Sequence, residues 1–231
     1  MMKLRQTMLA SCFCFWTSMV LANSPQEIDR EFFCSKLNAS VNYSFPKSSQ
    51  QIILVNIKAE STAVIISSCQ KKRGKWQLAS PGRFRGQIGK KGIAKVGSKH
   101  EGDLKTPAGS FALGPAFGTY SLNLKIPYRQ ISTEDKFIDD PISPEYNTWV
   151  RGKTLAKSFE TMLQPYYTYG VVVNYNMHPV ISGAGSAIFL HVWDSPDSAT
   201  SGCITMAQDN ISKILHWLNS KDNPYIIIFE K

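Results

Sequence analysis

Short runs of β-branched and aliphatic residues, spaced about ten residues apart, constrain the fold of this chain more than any other feature. The clearest early runs cover residues 51–58, 63–67 and 75–79, and later ones cover 170–175 and 224–229. Runs of this length, separated by turn residues, are typical of strands that follow one another in an antiparallel meander. The sequence therefore predicts a mainly β fold.

Helical patterns are fewer. Leu155, Phe159 and Met162 recur at helical spacing and Pro165 follows them, which predicts a helix over residues 153–163.

A second helix is predicted to begin at Thr205, because residues 205–208 (Thr-Met-Ala-Gln) fit a capping box. A short helix is predicted at 25–36 and a short strand at 122–126. Four glycines between 82 and 92 predict a segment rich in turns.

A cysteine and a histidine are the candidate catalytic residues. An apolar, β-favouring run at residues 186–190 leads to His191, and a polar loop then leads to Cys203. Cysteine acts as a nucleophile only as the thiolate, which needs a nearby base and a positive environment. His191 and the N-terminus of the helix predicted at Thr205 would supply both. Gly202 would let the backbone approach a substrate, with its N–H directed at an oxyanion. The spacing alone leaves open that Cys203 and His191 are packing residues.

Four motifs between residues 103 and 206 resemble those of one known family. They are Thr-Ser-Gly-Cys-Ile-Thr-Met at 200–206 after the strand-borne His191, Asp-x-x-Thr-Pro-x-Gly-x-Phe at 103–111, Asp-Asp-Pro through Tyr-Asn at 139–147, and Gly-Ala-Gly-Ser-Ala-Ile at 183–188. In their order along the chain, these motifs resemble the L,D-transpeptidase catalytic domain (the YkuD type). The best match covers residues 90–230, and the predicted strands at 51–80 precede it.

The resemblance implies a β-sandwich-like catalytic domain with about two helices, in a secreted bacterial cell-wall enzyme. Such an enzyme attacks a peptide bond of a peptidoglycan stem with a cysteine and forms a thioester, which an amine acceptor then resolves. Cys203 would be the nucleophile and His191 the base, with Gly202 and Ser201 in the oxyanion loop. Many members have His or Arg at the position of Ser201, so this chain lacks a basic group there. The reaction needs no cofactor.

Other functions stay open beside the transpeptidase. Water in place of the amine would make the same site an L,D-carboxypeptidase. A cysteine amidohydrolase of the cell wall could act on a different amide. A non-catalytic cell-wall-binding protein would rely on the basic part of the chain.

Further residues are candidates for supporting roles. His100 is the rival base, because it lies beside the Thr-Pro motif. Tyr146 and Asn147 are predicted, on the resemblance, to line the substrate cleft. Asp194 and Asp197 could orient the base from the loop that follows it. No Cys or His spacing typical of metal ligands occurs, so no metal is expected.

The N-terminus predicts export. Residues 1–22 have the basic start and the apolar core of a signal peptide, with cleavage before Asn23, and the apolar core is too short to span a bilayer comfortably. A lipoprotein signal at Cys12 and a retained membrane anchor are the alternatives. The mature protein, residues 23–231, is predicted to be one domain in the periplasm or cell wall.

Three cysteines remain after the predicted cleavage, an odd number for an oxidising compartment. If Cys203 stays free, Cys34 and Cys69 are the natural disulfide pair.

The chain is basic, with a formal net charge of +9 and eleven Lys or Arg residues between Lys71 and Lys105. A basic surface attracts anionic polymers, which for an exported protein are anionic envelope polymers. A solvated basic face without a partner explains the charge equally well. Peptidoglycan stem peptides are the expected substrate, and no nucleic-acid motif occurs.

Overall fold

The computed structural model describes residues 34–38, 44–57 and 61–230. Strands account for far more of these residues than helices, which confirms the mainly β prediction. The strands are β1 (Gln51–Ile57), β2 (Ala63–Lys72), β3 (Lys75–Gln87), β4 (Ile93–Ala94), β5 (Thr106–Pro107), β6 (Gly109–Gly118), β7 (Tyr128–Gln130), β8 (Asp135–Ile138), β9 (Trp149–Arg151), β10 (Phe159–Thr161), β11 (Tyr169–Val173), β12 (Phe189–Val192), β13 (Ile204–Met206) and β14 (Tyr225–Glu230). The helices are α1 (residues 34–38) and α2 (Gln208–Trp217), with 3-10 turns at Pro165–Tyr167 and Ser220–Asp222.

One large sheet organises the fold, with the strand order β11-β12-β13-β3-β2-β1-β14-β6-β7. β11 also pairs with β6, so the sheet closes on itself. β1, β2 and β3 are antiparallel neighbours, as the spacing of their apolar runs predicted. β14 lies parallel to β1, and β12 lies parallel to β13.

The closed sheet surrounds the main hydrophobic core. Side chains alternate across a strand, so Ile53, Val55 and Ile57 of β1 point inward. Ile214 and Leu215 of α2 are fully buried in the same cluster. Each such aliphatic side chain contributes about 1.5–3 kcal/mol when it leaves water. The helix therefore belongs to the core of the sheet.

The opposite face of β1 is covered by the N-terminal helix. Ile52 and Leu54 pack there with Leu37 of α1. Cys34 of α1 and Cys69 of β2 form a disulfide with their Cα atoms 5.5 Å apart, which confirms the predicted pair.

A small sheet, in the order β10-β8-β9, covers the outer face of β12. Phe137 of β8 packs edge to face on Phe189 of β12, with ring centroids 5.0 Å apart. At the start of β8, the carboxylate of Asp135 is buried and accepts hydrogen bonds from Arg151 and Trp149. Burial by itself would raise the pKa of Asp135, but these bonds and those from Ser132 hold the pKa well below its usual range. The small sheet forms one wall of the site described below.

The helix predicted over residues 153–163 is wrong. The segment is irregular as far as β10, which pairs antiparallel with β8. Leu155 is 99% exposed while Met162 is fully buried, so the apolar residues do not share one helical face. Pairing with β8, together with a hydrogen bond from the Lys157 amide to Asp140, satisfies backbone groups that a helix would have paired internally.

The helix start predicted at Thr205 is also wrong, because Ile204–Met206 form β13 between β12 and β3. Ile204 and Met206 point into the core and Thr205 points to the other face, which is the period of a strand. α2 begins only at Gln208, and its N-cap residue makes no side-chain capping bond.

Two smaller predictions need correction. The glycine-rich stretch predicted as turns forms a turn only at residues 89–92, because residues 82–87 lie in β3, where a Cβ on Gly86 would meet the Thr205 carbonyl at 2.6 Å. Gly86 thus permits close strand approach rather than a turn. The strand predicted at 122–126 is absent from the described part of the chain, apart from a single bridge between Lys125 and Asn219.

Residues 1–22, with the predicted signal peptide, lie outside the described residues, as does most of the helix predicted at 25–36. Within residues 34–38, 44–57 and 61–230, no helix has the length and apolar character needed to cross a membrane.

Candidate active site

His191 and Cys203 lie on the same face of two adjacent parallel strands. In the register of β12 and β13, His191 is opposite Thr205 and Leu190 is opposite Ile204. Cys203 precedes Ile204, so it lies diagonally next to His191. Both line a cleft with a volume of about 440 Å³. The sequence prediction that the chain leaves His191, turns, and returns with Cys203 therefore agrees with the topology.

The imidazole of His191 is buried and held in one orientation. Its Nδ1 lies 2.8 Å from the carbonyl oxygen of Val192. A carbonyl only accepts, so the proton of the neutral ring lies on Nδ1 and Nε2 keeps its lone pair. The ring packs edge to face on Tyr167, with centroids 4.9 Å apart. Burial lowers the pKa of His191 to about 4, against the opposing effect of hydrogen bonds with the backbone of Val192 and Tyr166. The ring is therefore neutral at pH 7.

The thiol of Cys203 is also neutral in this resting arrangement. Its Sγ donates to the carbonyl of Ala187 at 3.3 Å and accepts from the amide of Phe189 at 3.4 Å. Burial raises the pKa of Cys203, and the negative charge of Glu160 raises it further. The Phe189 amide and the ammonium of Lys99 act in the opposite direction. A neutral thiol beside a neutral imidazole means that the proton must move when a substrate is attacked.

The loop before Cys203 is fixed by two threonines. Thr106 donates to the Gly202 carbonyl at 2.8 Å, and Thr200 donates to the Cys203 carbonyl at 2.7 Å. Gly202 has φ +152°, and a Cβ there would meet the Lys105 carbonyl at 3.1 Å. Glycine is therefore required by both the backbone angle and the space.

The backbone amides of Gly202 and Cys203 could each donate to an oxyanion, and they differ in their present hydrogen bonds. The Gly202 N–H donates to the Thr200 hydroxyl at 3.0 Å, so it is occupied. The Cys203 N–H makes no hydrogen bond within the described chain. The Cys203 N–H is therefore free to donate to an oxyanion, whereas the Gly202 N–H must first break its hydrogen bond with the Thr200 hydroxyl. Ser201 is exposed and lines the cleft without a hydrogen bond to another described residue.

Asn147 is 2% exposed and does not line the cleft; it supports a segment of the cleft wall through hydrogen bonds to the backbone. Its Nδ2 donates to the carbonyls of Tyr175 and Asn176 at 2.9 and 2.8 Å, and its Oδ1 accepts from the Ala187 amide at 3.1 Å. Ala187 is the residue whose carbonyl accepts the thiol of Cys203. Asn147 thus positions the nucleophile through one intermediate residue.

Tyr146 is likewise buried, and its hydroxyl donates to Glu101 and accepts from the Gly185 amide at 3.0 Å. Glu101 also accepts from the hydroxyl of Ser186 at 2.7 Å. Burial raises the pKa of Tyr146, and the Glu101 carboxylate raises it further. This cluster holds the segment that leads into β12, so Tyr146 acts on the site through the backbone.

The other predicted candidates form no hydrogen bond with His191 or Cys203 within the described chain. His100 is exposed, and its Nδ1 lies 3.2 Å from the Glu101 carbonyl, so it does not line the cleft. Asp194 lines the cleft but forms no hydrogen bond with His191, and Asp197 is exposed. The Val192 carbonyl orients the imidazole instead.

Sequence reasoning missed three contributors to the site: the threonines Thr106 and Thr200, and Lys99. Thr106 is the Thr of the Thr-Pro motif, so the motif was the available signal. Lys99 was one of eleven basic residues in its region, and nothing in the sequence separated a buried lysine from exposed ones.

Among residues 34–38, 44–57 and 61–230, no group of three or more His, Cys, Asp or Glu residues is arranged to hold a metal ion.

A larger cavity of about 1,040 Å³ lies in the segment between residues 133 and 159. It contains neither a cysteine nor a histidine. The smaller cleft holds Cys203 and His191 together, so its chemistry rather than its size makes it the candidate site.

A family model described as the L,D-transpeptidase catalytic domain (YkuD) matches residues 50–227. A search of curated protein sequences found no match to this chain.

Two solved structures are similar to this chain at low sequence identity. A mutant of the helical cell shape determining protein Pgp2 from Campylobacter jejuni is 18% identical over 87% of this chain, with a TM-score of 0.45. L,D-transpeptidase 1 from Mycobacterium tuberculosis is 12% identical over 78% of this chain, with a TM-score of 0.34. The aligned regions cover 54% and 63% of those two chains, respectively.

Proposed function

The chain belongs to the L,D-transpeptidase catalytic domain family, and on that premise we propose that it is a peptidoglycan L,D-transpeptidase with Cys203 as nucleophile and His191 as base. The family acts on peptidoglycan stem peptides. The observation that carries the proposal is the placement of His191 and Cys203 on one face of β12 and β13, inside one cleft.

The first half-reaction forms a thioester. As the Cys203 sulfur attacks the carbonyl carbon of the bond between an L-centre and the terminal D-amino acid, its proton passes to Nε2 of His191. The Cys203 N–H, free in the resting structure, donates to the developing oxyanion, and a good donor of this kind is worth about 3 kcal/mol. The C–N bond then breaks, and the D-amino acid leaves with the proton from His191.

The second half-reaction releases the acyl group. An amine of a neighbouring stem attacks the thioester carbon and gives its proton to His191. The C–S bond breaks, and the sulfur recovers that proton as the free thiol. The imidazolium exists only during turnover, which fits a resting pKa of about 4 for His191.

The neutral resting pair has a consequence for the pH profile. Two coupled groups titrate as a pair, so the apparent values belong to the site rather than to one residue. A substrate that displaces the Cys203 thiol from the Ala187 carbonyl would direct its proton towards the imidazole. Activity is then expected to depend on substrate binding rather than on a preformed thiolate.

The proposal includes export. Peptidoglycan lies outside the cytoplasmic membrane, so residues 1–22 would act as a signal peptide cleaved before Asn23. N-terminal sequencing of the protein recovered from the periplasm tests this step, and an intact N-terminus in the cytoplasm would contradict it.

Product analysis tests the reaction. Wild type is incubated with a tetrapeptide muropeptide, with and without an amine acceptor, and the products are separated by mass. Cross-linked product that requires the amine supports the transpeptidase. D-amino acid released equally without amine would instead indicate an L,D-carboxypeptidase. Cell-wall binding that persists in Cys203→Ala, with no turnover by the wild type, would indicate a binding protein.

A further inference from the structure

Lys99 is a buried cation in the wall of the catalytic cleft. Its side chain is only 4% exposed, and its Nζ donates to Asp103 Oδ1 at 2.5 Å and to the His100 carbonyl at 3.2 Å. Lysine is almost never buried without a partner, because removing its charge from water is costly. An ammonium has three donors, and Lys99 uses two of them within the described chain.

The partner of Lys99 is itself fixed in place. Asp103 accepts from the backbone amides of Lys105 and His100 at 2.8 and 3.1 Å. Burial would raise the pKa of Asp103, but its hydrogen bonds with Lys99 and with these amides lower the pKa. The ion pair is therefore charged at neutral pH and holds the ammonium in one position.

That position adjoins the nucleophile. The Nζ of Lys99 lies 3.8 Å from the point where a Cβ on Gly202 would stand, and Gly202 directly precedes Cys203. The glycine leaves the space between the ammonium and the loop unfilled. Burial raises the pKa of Cys203 most strongly, and the charge of Lys99 opposes that rise.

The other expected sources of positive charge are absent from this site. α2 begins at Gln208, after β13, so the helix N-terminus predicted at Thr205 does not stand next to Cys203. Ser201 carries no charge, and His191 is neutral at pH 7. The remaining cleft-lining lysine, Lys90, is exposed to solvent.

We propose that Lys99 is the electrostatic residue of this site, and that its ammonium stabilises both the thiolate of Cys203 and the negative charge that forms on the substrate carbonyl. A thiolate nucleophile needs such a positive neighbour, and fixed charge acts strongly where water is excluded. The proposal deepens the transpeptidase function and rests on it for the carbonyl step alone. The titratable groups around the cleft are Lys90, Lys99, Glu101, Asp139, Glu160, Tyr166, Tyr167, His191 and Asp194.

Alkylation of Cys203 by iodoacetamide, a neutral reagent, isolates the thiolate step from peptidoglycan chemistry. Full-length wild type is compared with Lys99→Met, and the rate is followed across pH by mass spectrometry of the peptide that contains Cys203. Loss of the cation is expected to slow alkylation about tenfold at pH values below the thiol's titration, since tenfold in thiolate is one pKa unit. Lys95→Met, at an exposed lysine outside the cleft, is the matched control and should match wild type.

Lys99→Met leaves Asp103 buried and unpaired, so the double variant Lys99→Met/Asp103→Asn removes both charges and protects the fold. It should be as slow as the single variant. Glu160→Gln removes the opposing charge without touching Lys99 and should speed alkylation.

Wild-type rates across pH in a folded double variant, judged by circular dichroism, would overturn the proposal. If the double variant does not fold, an unchanged rate in Glu160→Gln overturns it, because charge near Cys203 would then not control the thiol. If alkylation depends on Lys99 but no muropeptide acylates the wild type, the transpeptidase function fails and the role of Lys99 stands.

Discussion

Replacing Asn147 by alanine tests how the fold holds the nucleophile. Asn147 makes three hydrogen bonds to backbone groups of partly buried residues and has φ +56°. Each lost bond costs about 1 kcal/mol. An alanine in the left-handed region adds about 1 kcal/mol, because it lacks the short polar side chain whose local hydrogen bonds let asparagine adopt that conformation. The free energy of unfolding should therefore fall by about 4 kcal/mol.

A matched control separates the two contributions. Asn223 also has positive φ, at +46°, but its side chain makes one exposed bond, to Ser48. Asn223→Ala should therefore cost about 1–2 kcal/mol.

Urea unfolding monitored by circular dichroism measures both variants. By the usual scaling of about 2–4 °C per kcal/mol for chains of this size, Asn147→Ala should also lower Tm by about 8–16 °C. A second measurement follows the candidate active site. Because Asn147 accepts the Ala187 amide, and the Ala187 carbonyl accepts the Cys203 thiol, Cys203 should be acylated more slowly in the variant even at a temperature where it is folded. Equal decreases in the free energy of unfolding of Asn147→Ala and Asn223→Ala would refute the reasoning, since the three hydrogen bonds of Asn147 would then not contribute to stability.

Three further predictions concern stability. The pKa of His191 lies below its unfolded value of about 6.5, so the free energy of unfolding should fall as pH drops from about 6.5 to 4. In His191→Gln, the midpoint of urea unfolding should change less with pH over this range. The pKa of Asp135 is held low, so its contribution to the free energy of unfolding is complete above its unfolded pKa of about 4 and is lost at lower pH. Asp135→Asn should cost about 2 kcal/mol of stability at pH 7 and should remove this loss of stability in acid. An unchanged dependence of stability on pH in the variant would contradict the prediction. The double variant Cys34→Ser/Cys69→Ser should lose about 4 kcal/mol from a loop of 35 residues while Cys203 alkylation stays unchanged; slower alkylation would show that α1 supports the cleft.

The pairing of strands was predictable where apolar runs were long. The runs in β1, β2, β11 and β14 have enough β-branched residues to indicate strands on local pattern alone. The segment at Leu155 misled the prediction, because its helical spacing was outweighed by pairing between β10 and β8. That pairing depends on residues distant in sequence, which local periodicity does not register.

The nucleophile loop shows the same limit at finer scale. Thr205 fitted a capping box, yet its neighbours Ile204 and Met206 are both buried in the core. Burial of these two alternate residues favours a strand over a helix start. The error mattered for chemistry, because it assigned the positive environment of Cys203 to a helix N-terminus. The structure instead brings Lys99 beside Gly202 across a sequence gap that no motif spacing reveals.

The motif identified the supporting residues Tyr146 and Asn147, but it did not predict where their side chains lie. The resemblance singled out Tyr146 and Asn147 as cleft-lining residues, whereas both are buried and act through backbone groups of Gly185 and Ala187. A sequence pattern records which residues recur together. It does not record whether a side chain faces the ligand or the backbone behind it.

Intact mass of the protein after incubation with a tetrapeptide muropeptide tests the central claim most directly. Wild type, Cys203→Ala and His191→Ala are compared, each checked for its fold by circular dichroism. The account predicts an acyl adduct on the wild type, none on Cys203→Ala, and formation slowed at least a hundredfold in His191→Ala, the low end of typical general-base contributions of about 10²–10⁴. An adduct that forms equally on Cys203→Ala, or at the wild-type rate on His191→Ala, would contradict it.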